Sequence, residues 1–102
     1  MMWVKEDIPV YFEHIQWLAK ERGFIASIYG SLVTKGYSDH DFDIMLVPYV
    51  HSASKELFTA DIISFFKGTL VTIYKGIFAT SVVIDIDSKR LDISIRKLSD
   101  KL

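Results

Sequence analysis

The sequence predicts an α+β domain, in which a mixed sheet of about four to five strands carries two helices packed on one face. Two long segments repeat apolar residues at helical spacing, and five shorter segments are rich in β-branched residues. Their order along the chain is helix, strand, strand, helix and then three strands. With this order, placing both helices on one face of a single sheet is the simplest way to bury the apolar residues.

The first helix is expected over residues 8–21. Asp7 is expected to be its N-cap, and Pro9 lies in the first turn, where the missing N–H costs nothing. Gly23 follows at the position where glycine commonly ends a helix. The side chains expected to form its apolar stripe are Tyr11, Phe12, Ile15, Trp17 and Leu18.

The next two elements are predicted to be short strands separated by a polar loop. An apolar run over residues 24–29 predicts a strand that stops at Gly30, and a second run over residues 42–47 is closed by Pro48. The intervening residues 32–40 are predicted to be loop. Polar and apolar residues alternate at the start of the second run, which is typical of a strand with one buried face.

A second helix is expected over residues 53–67, with Ser52 or Ser54 as its N-cap and Gly68 after its last turn. Serine suits the cap position because its hydroxyl oxygen accepts a hydrogen bond from a free backbone N–H. The side chains expected to face the core are Leu57, Ile62, Phe65 and Phe66.

The last third of the chain is predicted to contain three strands. Residues 69–75 are rich in β-branched side chains and predict the first of them. Residues 80–87 and 90–96 then predict a hairpin whose turn is centred on Ser88 and Lys89. No linker or internal repeat interrupts the sequence, so all 102 residues are expected to form a single domain.

The composition excludes several classes of protein. The formal net charge is -1, from 12 basic and 13 acidic side chains, so the chain lacks the strongly basic surface that holds nucleic acid by charge alone. It contains no cysteine, which excludes disulfides and thiolate metal sites and fits a reducing compartment. Because no apolar run resembles a signal peptide or approaches the roughly 18 residues of a membrane span, we expect a cytoplasmic location without membrane contact.

Residues that carry chemistry concentrate around the loop between the first two strands. Gly30 follows a strand directly and lets a ligand approach the backbone, while Ser31 adds a hydroxyl and an N–H that suit a phosphate oxygen. Asp41 and Asp43 stand two apart on the second strand, so their carboxylates point to the same face. Two carboxylates this close repel each other unless a cation lies between them, and Mg²⁺ prefers such oxygen ligands. The sequence therefore predicts a magnesium site here.

A third carboxylate would complete a site for two metal ions. Asp92 lies in the middle of a strand between apolar neighbours, where a lone carboxylate is costly to bury without a positive partner. If its strand lies beside the strand of the acid pair, Asp92 can face the same ions. Asp85 has a similar setting and is the second choice, although it is more readily expected to pair with Lys89 or Arg90.

These residues resemble the motif of the nucleotidyltransferase superfamily, which includes DNA polymerase β, poly(A) polymerases and small bacterial nucleotidyltransferases. In that family a Gly-Ser pair follows a strand, a loop that often contains glycine comes next, and two acids separated by one apolar residue begin an apolar run. The matching residues here are Gly30, Ser31, the loop glycine Gly36, Asp41, Phe42, Asp43 and the run 44–47. The third family acid lies on a later strand, as Asp92 does. The resemblance covers residues 24–95, most of the chain.

The resemblance implies a nucleotidyltransferase-like fold and a Mg²⁺-dependent enzyme that transfers a nucleoside monophosphate from a nucleoside triphosphate, with ATP as the first choice, to a hydroxyl. The implied catalytic and metal-binding residues of its two-metal site are Asp41, Asp43 and Asp92. Gly30 and Ser31 would hold the phosphates of the triphosphate, and Lys35 would neutralise part of its charge. The residues leave the acceptor open among RNA, a protein and a small molecule.

Several alternatives stay open. Asp39 alternates with the acid pair and could replace one of its members, as Asp85 could replace the third acid. The helical region with which family members bind the base and the acceptor has no counterpart after the final hairpin. The domain could therefore be an antitoxin-like nucleotidyltransferase that modifies or masks a helical partner protein, or it could form a homo-oligomer. A degenerate binding module that keeps the fold without chemistry is a further possibility.

Overall fold

The computed structural model describes residues 2–97 and confirms the predicted α+β class, with a five-stranded mixed sheet. In chain order its elements are β1 (Trp3–Val4), a π-helical turn (Ile8–Phe12), α1 (Glu13–Glu21), β2 (Phe24–Tyr29), α2 (Ser31–Lys35), β3 (Tyr37–Ser38), β4 (Asp41–Pro48), α3 (Lys55–Phe66), β5 (Thr69–Lys75), β6 (Ala79–Ile86) and β7 (Lys89–Arg96). None of the helices in this described part combines the length and the apolar character that crossing a bilayer requires.

The five strands of the main sheet have the order β2-β4-β7-β6-β5. β4 and β7 are parallel neighbours, and the other neighbouring pairs are antiparallel. The parallel pair requires a long crossover, because α3 and the strands β5 and β6 lie between β4 and β7 in the sequence. This crossover brings two distant segments of the chain into direct contact.

One face of the sheet is buried and the other is open. In β4, Phe42, Ile44 and Leu46 are fully buried, whereas the residues that alternate with them are more exposed. β6 and β7 alternate in the same way, and the buried residues of α1 and α3 belong to the same apolar core. The two helices therefore pack on one face of the sheet, as predicted.

The first helical segment begins at the predicted residue, Ile8, but its first turn is π-helical rather than α-helical. The π-helical turn, with Pro9 near its beginning, continues directly into α1. Asp7 occupies the predicted N-cap position, but its side chain makes no cap hydrogen bond. The Asp7 carboxylate instead accepts a hydrogen bond from Val4 N–H at 2.9 Å and lies 3.3 Å from Lys89 Nζ.

The buried stripe of α1 is narrower than predicted. Ile15, Leu18 and Ala19 are buried, and the preceding Tyr11 packs against the core. The prediction that Trp17 belongs to this stripe is wrong, because its side chain is 59% exposed. α1 packs over β2, an edge strand, so the sheet does not extend far enough to cover the outer side of the helix.

α3 begins at one of the two predicted caps, since Ser54 Oγ accepts a hydrogen bond from Leu57 N–H at 3.2 Å. Its buried residues are Phe58 and Ile62. The prediction that Leu57 and Phe65 face the core is wrong, because about half of each side chain is exposed. Helical periodicity defines an apolar stripe, but the position of the sheet decides which part of the stripe is covered.

The segment predicted as loop between the first two strands contains the short elements α2 and β3. β3 pairs with β1, and Trp3 of β1 is fully buried, with its ring centroid 5.1 Å from that of Phe42. The indole Nε1 of Trp3 donates a hydrogen bond to the Arg90 carbonyl at 2.7 Å. The N-terminal segment therefore holds the beginning of β7 in place.

The hairpin of β6 and β7 turns one residue earlier than predicted. Ile86 pairs with Lys89, so the loop consists of Asp87 and Ser88. Both loop residues have positive φ, 52° and 65° respectively, which is the conformation of a type I′ turn. This turn matches the right-handed twist of the flanking strands and keeps the pairing regular to its end.

Candidate metal centre

Three aspartates meet on the open face of the sheet, where β4 and β7 run side by side. Asp43 lies directly opposite Asp92 in the register of the two strands, and Asp41 lies two residues earlier on the same face. One carboxylate oxygen of each residue lies within 4.8 Å of those of the other two. We call these residues the aspartate triad; they are the three carboxylates that the sequence analysis selected.

Apolar neighbours hold the triad in this orientation. The fully buried residues that flank the aspartates are Phe42, Ile44, Leu91 and Ile93. Because strand residues alternate between the two faces, burial of these side chains forces the aspartates onto the open face. A slip of either strand by one residue would bury a carboxylate and expose an apolar side chain, so the register is strongly fixed.

Gly30 lies against the triad at the end of β2. It follows Tyr29, the residue opposite Asp43, and has a φ of +85°, a conformation that residues with a side chain rarely adopt. A Cβ atom at this position would overlap the Asp43 carboxylate, with Asp43 Cγ only 3.2 Å away. Glycine is therefore required for the backbone to pass this close to the carboxylate, and Ser31 follows directly at the start of α2.

A buried serine fixes the start of β4. Ser38 is 6% exposed, and its Oγ accepts hydrogen bonds from Asp41 N–H at 3.2 Å and from His40 N–H at 3.4 Å. This turn sets the backbone position of Asp41 before the strand begins. Ser38 is not among the residues predicted from the sequence, although a serine two to three residues before such donors is the usual pattern of this turn.

Burial and nearby negative charge raise the pKa of two members of the triad, Asp43 and Asp92. The pKa of Asp43 rises from 3.8 to about 6, mainly through burial and further through the nearby Asp92 and Asp41. Burial and Asp41 also raise the pKa of Asp92, although Arg90 partly offsets the rise. The pKa of Tyr29 is raised by burial and then by the same carboxylates. Among residues 2–97 no ion pair neutralises the triad.

A solved structure described as a cytoplasmic RNA terminal U-transferase is similar to this chain, with a TM-score of 0.63 and 15% sequence identity. The chain has a nucleotidyltransferase-like fold. The similarity covers 89% of this chain, which spans 28% of the length of that protein. No protein-family model and no curated protein sequence matches the chain. At this identity the similarity shows the fold, and function must be argued from the site.

Two further residues singled out from the sequence, Lys35 and Asp39, lie outside the triad. Lys35 is the last residue of α2, is exposed and makes no ion pair within the described part of the chain. Asp39 is exposed and is not a member of the carboxylate cluster. The phosphate-binding roles of Gly30, Ser31 and Lys35 stay predictions.

Asp85, the second choice for the third acid, lies outside the triad. It is opposite Arg90 on β7, and its Oδ1 is 3.4 Å from Arg90 Nε. Asp85, Arg90 and Ser88 line a polar groove of about 250 Å³ that reaches the triad at Asp41. Asp92 reaches the acid pair and Asp85 does not, because β7 rather than β6 is the neighbour of β4.

The donor set of the triad fits a divalent cation that prefers oxygen ligands. Three carboxylates supply ligand atoms within 4.8 Å of one another. Burial and then the negative charges of Asp92 and Asp41 raise the pKa of Asp43, and a bound cation would offset the repulsion from those two charges. Mg²⁺ commonly binds one or two protein carboxylates together with substrate phosphates, and the open face leaves the other side of the site accessible to a phosphate-bearing ligand.

Proposed function

We propose that this domain is a divalent-metal-dependent nucleotidyltransferase, which transfers a nucleoside monophosphate from a nucleoside triphosphate to a hydroxyl group. The observation that most supports this function is the convergence of the aspartate triad on the open face of a nucleotidyltransferase-like fold. Asp41 and Asp43 would hold the Mg²⁺ ion that contacts the phosphates, and Asp92 would share a second ion.

The triad and its neighbours have separate parts in this reaction. Bound Mg²⁺ supplies charge neutralisation to the triphosphate and polarises the acceptor hydroxyl. Asp92 accepts the proton of the acceptor hydroxyl while the oxygen of that hydroxyl forms a bond to the α-phosphorus. The bond between the α-phosphorus and the oxygen that bridges it to the β-phosphate breaks, and pyrophosphate leaves. Gly30 and Ser31 bind the β- and γ-phosphate oxygens, and Lys35 offsets their charge.

ATP and an RNA hydroxyl are the first substrates to test. ATP follows from the family resemblance, whereas the similarity to an RNA terminal U-transferase supports RNA as the acceptor and makes UTP the matching comparison. A net charge of -1 favours local recognition of an RNA end over contact with a long stretch of backbone. The absence of cysteine supports action in a reducing, cytoplasmic compartment.

The test measures metal binding and transfer together. The purified protein is incubated with Mg²⁺ or Mn²⁺, each α-labelled triphosphate and an RNA oligonucleotide. The unaltered protein should gain thermal stability with the metal ion and label the RNA, and Asp43→Asn should lose both effects. Asp85→Asn is the matched control and should keep both, because it removes a neighbouring carboxylate outside the triad.

The possible results separate the alternatives. Full transfer by Asp43→Asn would refute the assignment of the metal site. Metal-dependent stabilisation that Asp43→Asn removes, without transfer to any acceptor, would indicate a nucleotide-binding module without chemistry. A cell lysate in place of RNA extends the test to protein acceptors, including the helical partner that an antitoxin-like enzyme would modify.

A further inference from the structure

The outer strand β5 exposes a continuous apolar surface. It is the last strand in the sheet order, and all seven of its residues are exposed. The loop that follows it is also apolar, with Ile77 and Phe78 exposed to 82% and 75%. We define the β5 patch by its large exposed apolar residues, which are Leu70, Val71, Ile73, Tyr74, Ile77 and Phe78.

The β5 patch lacks most features that normally protect an edge strand from pairing. Edge strands usually carry proline, several charged residues or a covering helix, because their outer N–H and C=O groups are free to bind another strand. Residues 69–78 contain no proline and a single charged residue, Lys75. The one irregularity of β5 is a register shift between Leu70 and Thr72. The remaining outer edge is open to another strand.

The opposite edge of the sheet is different. The groove beside β2 is lined by α1 as well as by the strand, so a helix covers much of that edge. On β5 the helical cover stops short, and a groove of about 310 Å³ with Ile73 and Val82 in its wall lies between α3 and the strand. An added strand would therefore extend the sheet at β5 and close this groove.

We propose that two copies of this chain associate through their β5 strands, which pair antiparallel across a two-fold axis into one continuous sheet. Antiparallel self-pairing suits the charge of the strand, because it places the two copies of Lys75 at opposite ends of the interface. The exposed apolar area is that of a small interface. The six side chains of the β5 patch are 42–82% exposed and amount to roughly 600 Å² on each copy, of which pairing covers the part beside the paired edge. This is less than the roughly 800 Å² per partner of a standard interface, so we expect a weak, concentration-dependent dimer.

This interface leaves the aspartate triad accessible. Across the sheet, Asp43 is followed by Asp92 on β7, Val83 on β6 and Thr72 on β5. Two strands therefore separate β4 from the paired edge, and the triad lies on a face of the sheet rather than at its edge. The association can be tested without reference to the proposed transferase activity.

The first test measures the dimer dissociation constant by sedimentation velocity. Thr72→Lys and Ile73→Lys should each raise this constant by at least about tenfold, because the two-fold axis of a pairing over residues 69–75 lies at Thr72 and each substitution brings a lysine close to its own copy. Ile25→Lys is the matched control, since Ile25 is an exposed apolar residue on the opposite edge strand and should leave the constant unchanged. Circular dichroism confirms that each variant remains folded.

A second test uses disulfide formation between copies. The chain has no cysteine, so Thr72→Cys introduces the single thiol of each copy. Close approach of the two Thr72 positions should give a covalent dimer on mild oxidation, and Ile25→Cys should give little. An unaltered protein that stays monomeric at all concentrations, or a dimer weakened only by Ile25→Lys, would overturn the proposal. Dimerisation that survives both lysine variants in β5 would overturn it as well.

Discussion

Replacing Asp43 by asparagine should stabilise the metal-free protein at neutral pH, although the change removes a proposed metal ligand. The pKa of Asp43 rises from 3.8 to about 6 in the folded protein because of burial and then because of Asp92 and Asp41. A carboxyl group with a raised folded-state pKa favours folding while it is protonated. This contribution is complete below about pH 4 and is lost as the pH rises through about 6, so charged Asp43 weakens the folded state at neutral pH.

The size of this effect follows from the pKa difference and the exposure of the group. A rise of about two units corresponds to about 3 kcal/mol, which is an upper limit for a fully desolvated group. Asp43 is only partly buried, so screening by water reduces the expected effect to about 1 kcal/mol. In a domain of this size, about 1 kcal/mol changes the Tm by roughly 4–8 °C.

Thermal unfolding of the two proteins in EDTA measures the effect. The difference in Tm between Asp43→Asn and the unaltered protein should be small near about pH 4 and should grow as the pH rises through about 6. Comparing the two proteins at each pH cancels the titration of groups outside the triad. Mg²⁺ at about ten times its Kd should then stabilise the unaltered protein by about 1.4 kcal/mol and the variant by much less.

Two results would refute this reasoning. A Tm difference that stays constant between about pH 4 and about pH 8 would mean that the charge of Asp43 is already compensated in the folded protein. An unaltered protein that is more stable than Asp43→Asn in EDTA at neutral pH would mean the same. Asp85→Asn is the control, because it removes a neighbouring carboxylate that lies outside the triad and faces Arg90 at 3.4 Å.

Other substitutions test the packing around the site. Gly30→Ala should lower the free energy of unfolding by about 1–3 kcal/mol and abolish metal-dependent stabilisation, because the new Cβ would overlap Asp43. Urea unfolding with and without Mg²⁺ measures both effects. Trp3→Ala should cost about 3–5 kcal/mol, because it removes a fully buried, hydrogen-bonded ring, and a loss below about 1 kcal/mol in urea unfolding would contradict this packing. Ser88→Gly should stabilise the protein by about 0.5–1 kcal/mol in the same assay, because Ser88 has a φ of 65°, and a destabilised variant would show that this turn carries no strain.

Elements with a strong local signal could be predicted from the sequence. β2 and β5 occupy the predicted residues 24–29 and 69–75, and each is followed by glycine. Alternation between the two faces also placed Asp41 and Asp43 on one side of their strand without any tertiary information. These predictions succeeded because they depend only on residues within a few positions of one another.

The covered side of each helix could not be predicted in this way. Trp17 and Phe65 are large and apolar but exposed, whereas Ala19 and Phe58 are buried. A helical stripe can be wider than the surface that meets it, so the burial of its outer residues depends on where the sheet ends. The buried position of Trp3 likewise depends on the pairing of β1 with β3, which no local pattern indicates.

The sequence by itself determined that Asp41 and Asp43 share one face of their strand and that Gly30 ends the strand before them. It favoured Asp92 over Asp85 as the third acid but could not establish which of them lies near the pair, because both lie on the same hairpin and have apolar neighbours. The tertiary structure brings Asp92 next to the pair, because β7 pairs with β4 and Asp92 is opposite Asp43. That pairing depends on a long crossover and on burial of the whole apolar core. The free energy that stabilises it comes from contacts between residues far apart in the chain, so no local pattern reveals it.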